Sequence, residues 1–325
     1  GNKETLLTIP KSKGINVRDE LIKFHKKYYI SNQMTLCIQS SQSINQLEKW
    51  VIKYFNNIPS NVNSKSPSDE WIGKISPFLP QNDNLVNQIS IVPVVDMRLL
   101  KIQFPIWIKN SNDKNIILKH KPEAYLSYLF SDQGENSLRT KLVEKNWINE
   151  VGAGVVNDIS DMVEFEIRID LTENGLKHTT EIIDIIFTYL EFLKNEPLPN
   201  YILNEYNQLA ELAWNYRGKE SGMDFVSRIA SNMQVYAPIS YLSGAYLFEP
   251  NEIVIQDYLK QLNVDNAHIK LVSSSLKGKT DKIEKIYGTE YTSKLLQSES
   301  KRWKSISNKD TNKYNFQYRK SNSYI

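Results

Sequence analysis

The sequence predicts an α+β protein, because helix-period and strand-period segments alternate along its whole length. Its 325 residues exceed one typical core and suit about two domains. An internal echo adds to this. A helix followed by "SNQMTLCIQSS" (31–41) resembles a helix followed by "VDNAHIKLVSSS" (264–275), each an Asn-containing turn into a short apolar strand ending in serines. Read as a repeat, it implies two related α+β units ending near 57 and 290, the first lacking its front half.

The elements follow in order. "VRDELIKFHKKYY" (17–29) is an amphipathic helix, "MTLCIQS" (34–40) a strand, and "SINQLEKWVIKYF" (43–55) a helix with Ser43 as N-cap. The polar, Pro- and Ser-rich stretch from 57 to 70 has no apolar period, which makes 58–70 the linker. Strands are expected at 88–94 and 98–106, helices at about 121–131 and 136–146, and a strand pair at 147–158 and 162–171. Three helices (about 174–194, 199–216 and 222–235), a helix at 251–261 and a strand at 267–274 complete the pattern. The resulting division is 1–57, the linker 58–70, a main domain 71–300 and a basic tail 301–325.

Composition excludes several functional classes. Hydrophobic residues make up 40% and charged ones 24%, and the net charge of +3 is too small to imply a nucleic-acid or membrane partner. No run approaches the ~20 apolar residues of a membrane span. The chain opens on Gly1 without a signal-peptide pattern, so a processed start or an excised piece of a longer protein is expected. The single cysteine, Cys37, rules out an internal disulfide framework and fits a reducing compartment, with the cytoplasm favoured.

Two stretches spell H-x-x-E. In "KHTTEI" (177–182), the position four after His178 is Ile182, which cannot ligate zinc, whereas zinc motifs place two histidines four apart on one helix face. At about 100° per residue, Ile182, Ile183, Ile185, Ile186, Tyr189, Leu190 and Leu193 form an apolar side. Lys177, Thr180, Glu181, Asp184, Thr188 and Glu191 form the polar one, with His178 at the boundary. In "HKPE" (120–123), Pro122 opens a helix that leaves His120 outside it. His25 and His268 have no ligand at suitable spacing. No catalytic residue and no metal ligand is expected in this chain. Phosphate-loop, dinucleotide and nucleophile-elbow motifs are also missing, and "DQGENS" (132–137) reads as a turn capping the next helix.

Gly152 and Gly154 in "EVGAGVV" mark either a bulge or an edge strand that receives an extended peptide by β-augmentation. In 301–320, seven basic residues oppose the single acid Asp310, with Trp303, Tyr314, Phe316 and Tyr318 interleaved. A segment running over a neighbouring domain explains this better than a nucleic-acid tail, since the remainder of the chain has no basic excess.

Several stretches resemble the insulinase (pitrilysin-type) metalloprotease family, nearest its insulin-degrading and nardilysin branch. They are "GNKETL" with "GINVRDELIKFHKKYYISNQMTL", "SINQLEKWVIKYFNNIP", "IVPVVDMRLLKIQFPI", "SLRTKLVEKNW", "DLTENGLKHTTEIIDIIFTYLEFL" and "GKTDKIEKIYGTEY", in the family's order over nearly the whole chain. The resemblance implies an α/β-sandwich with an antiparallel-rich sheet packed by helices. Residues 1–57 would end a first, catalytic-type domain, and 71–300 would form the second, non-catalytic one. It further implies a zinc-dependent endopeptidase as parent, with Zn2+ held by ligands outside this chain. The chain itself would supply chamber wall and an exosite for peptide substrates at Glu150, Val151 and Gly152. Its partners would be peptides and the parent's other domains, and a homo-oligomer stays open. Where relatives read G-H-E-G-x-G-S-L, this chain has "SDQGENSL" (131–138), keeping only Gly134, Ser137 and Leu138. Two alternatives remain: a scaffold module of a member without zinc, and a core-type subunit of a processing or respiratory complex.

Overall fold

The computed structural model describes residues 1–61, 63, 86–108, 111–159 and 161–324, so the expected linker over 58–70 falls largely outside it. Proximity of Cα atoms groups the chain into two units. One comprises Gly1–Ile72 with Ala213–Leu247, the other Gly73–Leu212 with Phe248–Ile325. Residues 213–247 thus group with the N-terminal segment.

In the first unit, helices Val17–Tyr28 and Ile44–Phe55 form as expected, and the Ser43 hydroxyl caps the latter by accepting from the Gln46 N–H. The strand expected at 34–40 does not form. The segment has no ladder partner among the described residues, and an extended segment without a neighbouring strand is not a β-strand. Thr35 instead donates through Oγ1 to the Ala230 carbonyl at 2.7 Å, on the helix Gly222–Val235. Only Ile30 is buried among residues 1–57.

The second unit is built on a sheet of β1 (Asn87–Ile91), β2 (Arg98–Trp107), β3 (Ile148–Ile159), β4 (Met162–Leu171), β5 (His268–Ser273), β6 (Lys282–Ile283) and β7 (Glu290–Leu295). Their order is β3-β4-β2-β5-β1-β7-β6, and only the β1–β5 pair is parallel. The antiparallel-rich sheet is therefore as expected. One face carries Leu100, Ile102, Phe104, Phe165, Ile167, Ile169 and Ile269, all fully buried against helices. Burying each such side chain contributes about 1.5–3 kcal/mol. Pro105 is tolerated inside β2 because pairing with β5 stops at Gln103, so its missing N–H breaks no ladder bond on that side.

Helix Thr179–Asn195 packs its isoleucines into this core. Thr188, expected on the polar side, is also buried, at 3% exposure. The reason lies in the C-terminal segment, which covers the helix. Trp303 Nε1 donates to Asp184 at 2.6 Å, Arg302 pairs with the same carboxylate at 2.7 Å, and Phe316 meets Tyr189 edge-to-face with ring centroids 5.1 Å apart. Trp303 and Phe316 are buried there, so neither offers a free face for base stacking. Helix Ser111–His120 has no counterpart in the sequence reading, because its apolar residues form one short run, Ile116–Leu118, without helical spacing.

Glu123 lies in the first turn of helix Pro122–Phe130. Burial pushes its carboxyl from 4.5 up to about 7, against the opposing pull of Lys121 and Lys114 and with Asp158 adding to the rise. Its Oε2 is buried without a hydrogen-bond partner among the described residues. Because the folded value lies above the unfolded one, the folded chain holds the proton longer. Stability is then highest below about 4.5 and falls as pH rises through about 7, by about 3 kcal/mol. Glu123→Gln should remove this slope and exceed the parent chain in stability above pH 7. Urea unfolding at pH 5 and pH 8 checks it, and equal slopes for both proteins would refute it.

Candidate functional site

Among the described residues, β3 pairs only with β4 and forms one edge of the sheet. Two register shifts, between Ile148 and Glu150 and between Val155 and Asn157, bracket a regular stretch from Glu150 to Val155. Neither glycine is therefore the bulge residue that the sequence allowed. Val151 faces the core at 2% exposure, while Glu150 is exposed. On the same face as Glu150, a Cβ at Gly152 would have nothing within 4 Å, and one at Gly154 would meet only Ser127 Oγ at 3.7 Å. The two glycines leave this face of the edge strand bare.

A groove of about 470 Å³ opens over it, lined by Glu150–Val156 and by Ser131, Glu166, Arg168 and Asp170. The β4 residues arrive there by period-2 alternation. In "EFEIRID", Phe165, Ile167 and Ile169 point to the core, and Glu164, Glu166, Arg168 and Asp170 to the other face. The register sets Arg168 opposite Gly152, Glu166 opposite Gly154 and Asp170 opposite Glu150. Glu166, 4% exposed, is paired with Lys101 at 3.1 Å and accepts from Gln103 Nε2 at 2.7 Å. These two donors offset much of the desolvation of a buried carboxylate. Asp170 accepts from Asn149 at 3.1 Å. The sequence reading missed this charged row, although the alternation in 164–170 signals it.

The turn beside the groove is held locally. Gly134 N–H donates to Asp132 at 3.0 Å, Thr140 Oγ1 to the Gly134 carbonyl at 2.9 Å, and Ser137 caps helix Leu138–Val143 through the Thr140 N–H. The capping role expected of this stretch is met.

The H-x-x-E residues do not form a metal centre. His178 lies in a 3-10 turn, Gly175–His178, ahead of the α-helix, and stacks on Trp147 at 4.7 Å with a 16° interplanar angle. Its Nδ1 is 3.3 Å from the exposed Glu181 carboxylate, and Ile182 is fully buried. His120 Nδ1 lies 2.8 Å from the Glu249 carbonyl, and His25 stacks on Tyr29. Among the described residues, no three His, Cys, Asp or Glu side chains are grouped so as to hold a metal ion. Nor is any helix among them long and apolar enough to cross a membrane.

Residues 16–209 match the family described as "Peptidase M16 inactive domain", and residues 214–325 match "Middle or third domain of peptidase_M16". The chain is 35% identical over 293 residues to an insulin-degrading enzyme of Drosophila melanogaster, covering 90% of this chain and 28% of that protein. It is 34% identical over 305 residues to the Homo sapiens insulin-degrading enzyme, covering 93% and 29%. Against nardilysin of Rattus norvegicus it is 28% identical over 311 residues, covering 94% and 26%. The chain thus spans under a third of the length of these relatives. The crystal structure of pitrilysin superposes with a TM-score of 0.82 at 21% identity, covering all of this chain and 33% of that one.

Proposed function

Because the chain belongs to the peptidase M16 family, we propose that it is the non-catalytic segment of a zinc-dependent metalloendopeptidase that degrades peptides. It contributes chamber wall and a substrate-anchoring exosite at Glu150, Val151 and Gly152. Residues 1–57 end the catalytic-type first domain of that parent, and 71–300 make up the second. The histidines of this chain are dispersed and, among the described residues, do not group with other ligands as a catalytic zinc needs; on this reading the metal belongs to other residues of a longer protein.

One observation carries the anchoring role: the regular stretch Glu150–Val155 is on a sheet edge, above a groove floored by glycines. An edge strand offers a row of N–H and C=O groups that an extended peptide can pair with, and alternate side chains of that peptide enter pockets on either face. Gly152 keeps the groove open where the incoming strand packs.

The test is peptide binding by the purified 325-residue chain, with cleavage followed in the same samples. Gly152→Val should weaken binding by about tenfold and leave thermal unfolding unchanged, since its new side chain enters open space. No chelator-sensitive cleavage should occur with either protein. Unaltered peptide affinity in the variant would remove the exosite, and zinc-dependent hydrolysis by the chain alone would remove the non-catalytic assignment.

A further inference from the structure

The groove beside β3 carries two charges that the protein does not use for itself. Glu166 is committed to Lys101 and Gln103, and Asp170 accepts from Asn149. The side chains of Arg168 and Glu150 make neither a hydrogen bond nor an ion pair among the described residues, and both are exposed. They share one face of the sheet, because Glu150 is the ladder partner of Asp170, two residues from Arg168 on β4.

We infer that this groove selects extended peptides bearing an acidic and a basic side chain two residues apart, with Arg168 reading the acid and Glu150 the base. The inference rests on the anchoring role proposed above and adds a substrate class to it. A strand added to β3 would lie about 10 Å from β4, two inter-strand spacings away. The residue between them at the register of Arg168 is Gly152, which has no side chain to block the approach. The long guanidinium side chain can therefore extend across the edge strand to a carboxylate on the added one. Guanidinium and carboxylate match in a planar, two-bond geometry. Two residues along, on the same face, Glu150 borders the added strand directly. The period of a β-strand puts peptide side chains i and i+2 on that face, which fixes the spacing of the two charges.

The test uses fluorescence anisotropy of three labelled ten-residue peptides with the 325-residue chain. One carries Glu and Lys two apart, one carries them in reverse order, and one has glutamine at both positions. The better of the two charged peptides should bind about tenfold more tightly than the neutral one. That advantage should disappear in Arg168→Gln, and Arg168→Glu combined with Glu150→Lys should shift the preference to the opposite order. Equal affinity for all three peptides would overturn the charge selection while leaving strand anchoring in place. Failure of the chain to bind any of them would overturn both.

Discussion

Gly175→Ala is expected to destabilise the second unit by about 3 kcal/mol, at the upper end of what an added methyl group costs. A Cβ at position 175 would lie 1.7 Å from the Trp147 carbonyl oxygen and 2.7 Å from its carbonyl carbon. Both are backbone atoms, so no side-chain rotation relieves the clash. That carbonyl already accepts from the Thr172 N–H at 3.0 Å, and the Gly175 N–H donates to Thr172 Oγ1 at 2.9 Å, which ties both strands of the corner. Moving either segment would also disturb the Trp147 ring on which His178 stacks. Urea unfolding of the two proteins measures the difference, and a change under about 0.5 kcal/mol, the size of an ordinary surface substitution, would refute the close approach.

Arg319→Met should cost about 3 kcal/mol and free the end of the chain for proteolysis. The guanidinium pairs with Glu205, which is only 4% exposed, and also donates to the Tyr128 hydroxyl. Around this pair the chain end is fastened twice more: Tyr201 donates to the Arg319 carbonyl at 2.6 Å, and Asn322 N–H donates to Glu205 at 2.7 Å. Removing the cation leaves a buried carboxylate with one backbone donor, which is costlier than never having buried the pair. A second substitution, Glu205→Gln, should accordingly recover part of the loss in the double variant. Limited proteolysis after residue 305, read by mass spectrometry, reports the tail directly. Parent-like resistance in Arg319→Met would show that the aromatic contacts of Phe316 suffice without the pair.

Much of the site's framework was legible from residue patterns. The run "MVEFEIRIDL" alternates strictly enough to give β4 and its two faces, and "EVGAGVV" marks its neighbour as unusual. The replacement of a second histidine by Ile182 excluded a zinc motif before any fold was known, and Ile182 is indeed a core residue. Other features were hidden because they depend on contacts distant in sequence. Nothing local in "FTYL" says that Thr188 is buried, since the covering residues, Trp303 and Phe316, come more than a hundred positions later. The apolar run "MTLCI" has strand composition, yet pairing is a property of two segments, and no described segment pairs with it.

The sequence by itself determined which residues alternate, where helices are capped, and that this chain lacks a metal motif. These depend on backbone periods and side-chain chemistry within a few residues. Only the tertiary structure decided that β3 is an edge, that its bulges fall at either end of the glycine stretch, and that Arg168 faces Gly152 across the ladder. Strand order and register arise from burying β2, β4 and β5 under helices drawn from both ends of the unit, a free-energy balance that no short stretch contains.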